Sequence, residues 1–224
     1  MGNSNIVINC NQCEFCDEFA GGRANSFAVR YANEIASRTI LEQDGFRAMP
    51  SIGQIVPGYL LLVPNYHYRA FADMSLEELN AAEGLKTGLT EQMRSTYGDC
   101  LFFEHGARTP DSGGCGISHA HLHIVPFPAE KDPVEELVRA FPVEEVSNLL
   151  DLKRIQPGKS YLYYESVRGE RYVFYPPFIP SQYIRRLLAE ALGIQTWDWR
   201  RCGREDRLLN TLSQTSRLRD VVWR

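Results

Sequence analysis

Three histidines alternate with apolar residues at His119-Ala120-His121-Leu122-His123, and Ile124-Val125 follow directly. Along an extended strand, successive side chains point to opposite faces. The spacing therefore predicts a strand over 119–125 with three imidazoles on one face. Ala120, Leu122 and Ile124 would face the other way into a core. A surface tract that binds metal adventitiously would leave the same rings in water. The interleaved apolar residues favour a buried strand, where polar rings cost free energy unless they are given partners. This stretch therefore needs a packed core on one side and polar company on the other.

The rest of the chain supplies the elements for such a core. Segments 38–41, 46–49 and 59–63 read as strands separated by the turn signals Asp44-Gly45 and Pro57-Gly58. Ser75 followed by Glu78 forms a capping box, and Leu76, Leu79, Leu85 and Leu89 continue at helical spacing, which predicts a helix over 75–97. A short strand is expected at 101–104, and Pro126 and Pro128 end the histidine strand. Beyond Pro128 the spacing predicts a helix at 135–141, a hairpin of 161–167 with 171–175, and a helix capped by Ser181 and ended by Gly193. The expected organisation is one α+β domain over residues 1–128 and a carboxy-terminal α/β extension, 129–224, packed on it.

Neutral imidazole is a good nucleophile and metal ligand near neutral pH. One ring can attack phosphorus if its second nitrogen is held by an acceptor, while a neighbouring ring donates to a phosphate oxygen. The loop Ser112-Gly113-Gly114-Cys115-Gly116, with Ser118 after it, precedes the histidines. Glycine lets backbone N–H groups approach a phosphate closely, so Gly114, Cys115, Gly116 and Ser118 are candidate phosphate contacts. Near the amino terminus, Cys13-Glu14-Phe15-Cys16 is a CxxC pair, which Cys10 extends. Such a pair supplies two ligands of a tetrahedral zinc site. A thioredoxin-like redox pair is the competing reading, but that motif opens a helix after a strand, and residues 6–12 make a poor strand.

The segment Ser118-His119-Ala120-His121-Leu122-His123-Ile124-Val125 resembles the signature of the histidine-triad (HIT) family. The resemblance extends back through Val56-Pro57-Gly58-Tyr59-Leu60-Leu61-Leu62-Val63-Pro64, with His67 three residues on, and covers about residues 13–128. It implies an α+β fold around an antiparallel sheet with flanking helices, commonly dimeric. It also implies nucleotidyl hydrolase or transferase chemistry through a nucleotidyl-histidine intermediate. By that resemblance His121 is the nucleophile, His123 contacts phosphate oxygens, and His119 orients the site or binds metal. Where the family often has Gln, and then Ser or Thr, this chain has Cys115 and Gly116. Where the family often binds the ribose through Asp or Asn, this chain has Ser51. Glu104 and His105 stand where a strand of the family often supplies a polar group, with His105 the candidate acid and a solvated loop histidine its alternative. The resemblance to zinc-containing members, and to the related galactose-1-phosphate uridylyltransferases, implies that His67 and His119 join Cys13 and Cys16 around a structural zinc.

In the extension, Ser181, Gln182 and Arg185 combine a helix start with a cation, both anion binders, or else belong to an ordinary capped helix. Trp197 and Trp199 are candidates to stack a base or to fill a core, and Arg200, Arg201, Arg204 and Arg207 read as a solvated helix face. The balance of 24 Lys+Arg against 28 Asp+Glu gives a formal charge of −4. That argues against a clamp for nucleic acid, which needs a basic surface, but allows a small nucleotide held by local groups. No apolar run reaches the roughly 18 residues that span a bilayer. The first residues do not pair a basic region with an apolar stretch, so a cytoplasmic location is expected. Three classes compete: a nucleotide hydrolase or nucleotidyltransferase, a zinc-stabilised nucleotide-binding module, and a nucleic-acid-end processing factor.

Overall fold

The structure is a computed structural model that describes residues 13–31, 33–108 and 116–215. Among the described residues, eight strands form one antiparallel sheet: β1 (Leu41–Gln43), β2 (Phe46–Pro50), β3 (Leu60–Pro64), β4 (Cys100–Gly106), β5 (Leu122–Pro126), β6 (Val143–Glu145), β7 (Tyr161–Glu165) and β8 (Arg171–Phe174). Their order is β1-β2-β3-β5-β4-β7-β8-β6. The helices are α1 (Glu14–Phe19), α2 (Ser26–Tyr31), α3 (Leu76–Tyr97), α4 (Val134–Ala140), α5 (Tyr183–Ala191) and α6 (Glu205–Gln214). This is the expected α+β arrangement of an antiparallel sheet with flanking helices. The sheet runs across residue 128, because β7 pairs with β4 from Phe102↔Glu165 to Gly106↔Tyr161. Among the described residues no helix is long and apolar enough to cross a membrane.

Strand alternation divides the interior into two cores. Ala120, Leu122 and Ile124 join Leu60, Leu62 and Phe102 against the α3 residues Leu79, Ala82, Leu85 and Leu89. Leu61, Leu101, Phe103 and Val125 face the opposite side, where Phe15 of α1 and Ile184, Leu187 and Leu188 of α5 cover them. The predicted capping box opens α3: Ser75 Oγ accepts from Glu78 N at 3.1 Å, and the Glu78 carboxylate accepts from Ser75 N at 2.8 Å.

Three local expectations need correction. The first strand begins at Leu41, because Arg38 turns inward to meet Glu18. Strand β5 begins at Leu122, so His119 and His121 lie on the irregular segment entering it. The α5 helix is capped by Gln182 at φ +61°, which leaves Ser181 exposed in the preceding turn.

The segment after α5 folds back over the loop between β2 and β3. Gly53 sits at φ +62°, and a Cβ there would lie 2.9 Å from Trp199 Cα. Gly58 sits at φ +79°, and its Cβ would collide with the Tyr97 ring at 2.5 Å. Both positions require glycine for conformation and for space. Thr211 Oγ1 donates to Gln54 Oε1 at 3.0 Å and accepts from Gly58 N at 3.2 Å. Arg204 donates to Gln54 O at 2.7 Å, and Arg207 donates to the carbonyls of Gln54 and Ile55. These arginines are therefore structural ties, a correction to the solvated face read from their spacing.

Candidate functional site

The cavity lies on the side of the sheet opposite α3. Leu61 on β3, Phe103 and His105 on β4, and His121 and His123 at β5 form its floor. Phe15 of α1, Arg38, Ser51, Ile52, Ile117, Gln182, Arg185 and Trp199 complete its lining. With its open mouth the space is about 550 Å³. The sheet register explains the floor: His123 lies opposite Leu61 on β3 and opposite Phe103 on β4. All three residues point to the same face.

The three imidazoles are buried, at 1% exposure for His119 and 5% each for His121 and His123. His121 Nδ1 donates to the His119 carbonyl at 2.7 Å. That bond fixes the tautomer and leaves the ring's lone pair on Nε2. His123 Nδ1 takes the Tyr59 hydroxyl at 2.7 Å, and its ring stacks on Phe103 with centroids 4.0 Å apart. His123 Nε2 is buried and has no hydrogen-bond partner among the described residues. Burial pushes the His121 imidazole down to about 4, helped by the nearby charges of Arg38 and Arg185. Burial likewise holds His123 well below the ordinary histidine value. These rings stay neutral near pH 7, the form in which imidazole is a nucleophile.

His105 lines the same floor, but burial pushes it down to about 3. Its ring is therefore neutral near pH 7. Glu104 is the next residue along β4, so its side chain lies on the other face. There it accepts from Phe71 N at 2.8 Å and from the Tyr161 hydroxyl at 2.6 Å. Its expected substrate contact is corrected to a buried structural role.

Ser51, Gly116, Gln182 and Arg185 line the cavity, whereas Ser118 and Ser181 are exposed and do not. Gly114, Cys115 and Cys10 lie outside the described residues. Sequence reasoning missed Phe15, Arg38, Ile52 and Ile117. Phe15 was hidden inside the CxxC, yet its ring contacts both His119 and His121, at 5.6 and 5.4 Å between centroids.

Beside the cavity stands a second cluster. Cys13 and Cys16, at the start of α1, meet His67 and His119, and their ligand atoms all lie within 4.8 Å of one another. Cys13 Sγ is 3.3 Å from His119 Nδ1, and Cys16 Sγ is 3.3 Å from His67 Nδ1 and 3.6 Å from His119 Nδ1. Zinc–sulfur and zinc–nitrogen bonds of roughly 2.3 and 2.1 Å in a tetrahedron imply ligand separations of roughly 3.4–3.8 Å. The four residues fit a tetrahedral Cys₂His₂ site. His119 Nε2 meets the Pro64 carbonyl at 3.0 Å, an outer contact that orients the ring.

No protein-family model matches the chain. A CWF19-like protein 1 from Mus musculus is 27% identical over 165 residues, covering 67% of this chain and 29% of the relative. The chain thus spans under a third of the length of the curated relatives it matches. Among solved structures, a member of the HIT family from Bacillus subtilis aligns with a TM-score of 0.38 and 20% identity, over 51% of this chain and 72% of that one. A zinc-bound histidine triad family protein from Mycobacterium smegmatis aligns with a TM-score of 0.38 and 17% identity, over 52% of this chain and 75% of that one.

Proposed function

We propose that this chain is a nucleotide hydrolase of the histidine-triad type, working at a phosphate through a covalent nucleotidyl-His121 intermediate. The observation that carries this reading is the 2.7 Å bond from His121 Nδ1 to the His119 carbonyl, in a ring that lines the cavity. Nε2 attacks the phosphorus, a nitrogen–phosphorus bond forms, and the bond to the leaving group breaks with its electron pair. With the Tyr59 hydroxyl donating to Nδ1 of His123, the proton of that ring sits on Nε2. It would donate to a phosphate oxygen and stabilise charge in the transition state. Water then attacks the phosphorus, its proton passes to solvent, and the bond to His121 breaks, which restores the lone pair.

A nucleotidyltransferase would use the same intermediate, with a phosphate or other acceptor in place of water. Zinc at Cys13, Cys16, His67 and His119 would fix the strand entry that carries His121, a structural contribution.

The decisive experiment incubates the chain with a panel of dinucleoside polyphosphates, nucleoside phosphoramidates, sugar nucleotides and capped adenylates. Acid-labile nucleotidyl mass on the peptide containing His121 is the expected result. Turnover without that adduct, and undiminished in His121→Asn, would sink the mechanism. Binding of the panel without turnover would favour a zinc-stabilised binding module instead.

A further inference from the structure

Two buried arginines border the cavity, and only one is neutralised. The carboxylate of Glu18 accepts from Arg38 Nε at 2.8 Å and Nη2 at 2.7 Å, and the Pro50 carbonyl accepts from Nη1 at 2.8 Å. Arg185 is equally buried, at 3% exposure. Its Nη2 donates to the Gly53 carbonyl at 2.6 Å, and Nη2 and Nε both donate to the Trp197 carbonyl at 3.2 Å. Nη1 donates to Ser51 Oγ at 3.4 Å, a hydroxyl that itself donates to the Ile52 carbonyl at 3.2 Å and would turn from it to meet an anion. All of these acceptors are neutral, and no described carboxylate lies within ion-pair distance of Arg185. A guanidinium has five N–H donors. These contacts engage four, leaving one on Nη1 beside the Ser51 hydroxyl. A cation held out of water without a counter-charge costs free energy unless an anion joins it.

The serine beside this cation follows β2, whereas the nucleophile precedes β5. Ser51 N donates to the Tyr59 carbonyl at 2.9 Å, which extends the β2–β3 ladder, and β3 in turn pairs Leu61 with His123. Ser51 thus stands two strands from β5, about 10 Å between backbones. The Tyr59 side chain bridges the interval: its ring lies 5.1 Å from Arg185 Cζ, and its hydroxyl reaches His123. Apolar Leu61 and Ile52 also line the cavity.

We infer that the substrate is a nucleotide carrying a second phosphate on its nucleoside, separate from the phosphate attacked by His121 and held by Arg185 Nη1 and Ser51 Oγ. The inference rests on the nucleotidyl-His121 reading. Its test is calorimetric binding to the full, zinc-loaded chain. The probes are adenosine and guanosine 5′-monophosphates and the matching 2′,5′- and 3′,5′-bisphosphates. At least one bisphosphate is expected to bind 10-fold or more tightly than its monophosphate. Arg185→Gln should bring that ratio close to one, and Arg185→Lys should retain part of it. Melting curves check that both variants fold, and Ser51→Ala, which leaves the carbonyl ties intact, should lower the ratio by a smaller factor. Equal binding of mono- and bisphosphates to the wild-type chain overturns the inference, as does a ratio preserved in Arg185→Gln. Turnover with a His121 adduct but no bisphosphate preference sinks the anchor alone. A bisphosphate preference lost in Arg185→Gln, without any adduct, sinks the covalent chemistry and leaves the anchor standing.

Discussion

The His119 carbonyl accepts the Nδ1–H of His121 at 2.7 Å, while the His119 ring stands 3.3 Å from Cys13 Sγ. One residue therefore belongs to both the Cys₂His₂ cluster and the proposed nucleophile's support. His119 and His121 precede the first ladder pair of β5. The Ala120 N–H donates to the Tyr68 carbonyl at 2.7 Å, and Cys13, Cys16 and His67 surround the His119 ring at this entry.

Purified protein is accordingly expected to carry one zinc per chain. Chelation, or Cys13→Ala with Cys16→Ala, should lower the melting temperature by about 10 °C or more, since a ligand bound only by the folded state stabilises it. If the carbonyl of His119 positions His121, the same change lowers kcat more than it raises KM. Metal analysis, melting curves and steady-state kinetics on one preparation check this. A folded, fully active, metal-free protein would refute it.

Tyr59→Phe removes the hydroxyl that meets His123 Nδ1 at 2.7 Å inside the core. It should cost about 1–3 kcal/mol of stability, the penalty of a buried polar atom left without its partner. The imidazole also loses the group that sets its tautomer, so kcat should fall about 10-fold with KM little changed. Urea unfolding and kinetics of the single variant read both effects. Unchanged turnover would show that Tyr59 does not set the state of His123.

Glu104 should make stability fall as pH rises. Burial pushes its carboxyl up to about 7, against the lowering effects of the Tyr161 and Phe71 hydrogen bonds. The folded state therefore holds a proton that the unfolded chain releases near pH 4.5. The favourable contribution is complete below about 4.5 and is lost as pH climbs through about 7. The loss is on the order of 3 kcal/mol at 1.4 kcal/mol per unit. Glu104→Gln should flatten this part of the profile, as measured by urea midpoints between pH 5 and 8. An identical slope in both proteins would assign the titration elsewhere.

The sheet and the triad were legible because alternation is a local pattern. Ala120, Leu122 and Ile124 sit in one core while His123 and Val125 face the other, as their spacing demands. The capping box at Ser75 and Glu78 is equally local. The contributions of Phe15 and Arg38 to the cavity were not legible. Each comes from a different element, and only long-range packing brings them to β5. Glu104 was misread for the opposite reason: one step along β4 reverses the face, and its neighbour His105 took the cavity side. Arg204 and Arg207 looked solvated because their partners are backbone carbonyls of Gln54 and Ile55, which carry no sequence signal.

Arg38 and Glu18 form a buried ion pair at 2.7 Å, with side chains 3% and 11% exposed. The pair ties α1, and with it Phe15 and the cysteines, to the segment before β1. Taking either charge away strands the other in a low-dielectric setting, so Arg38→Ala or Glu18→Ala should each cost about 3–5 kcal/mol. Replacing both with apolar residues of similar size, Arg38→Met with Glu18→Leu, should cost much less than the sum of the single changes. Zinc content should drop in the single variants, because α1 carries two of the four ligands, and recover in the pair. A double-mutant cycle in urea, with zinc content read alongside, measures both. Additive losses in the cycle would mean that Arg38 and Glu18 stabilise the protein through separate contacts, Arg38 through the Pro50 carbonyl that accepts from its Nη1 at 2.8 Å.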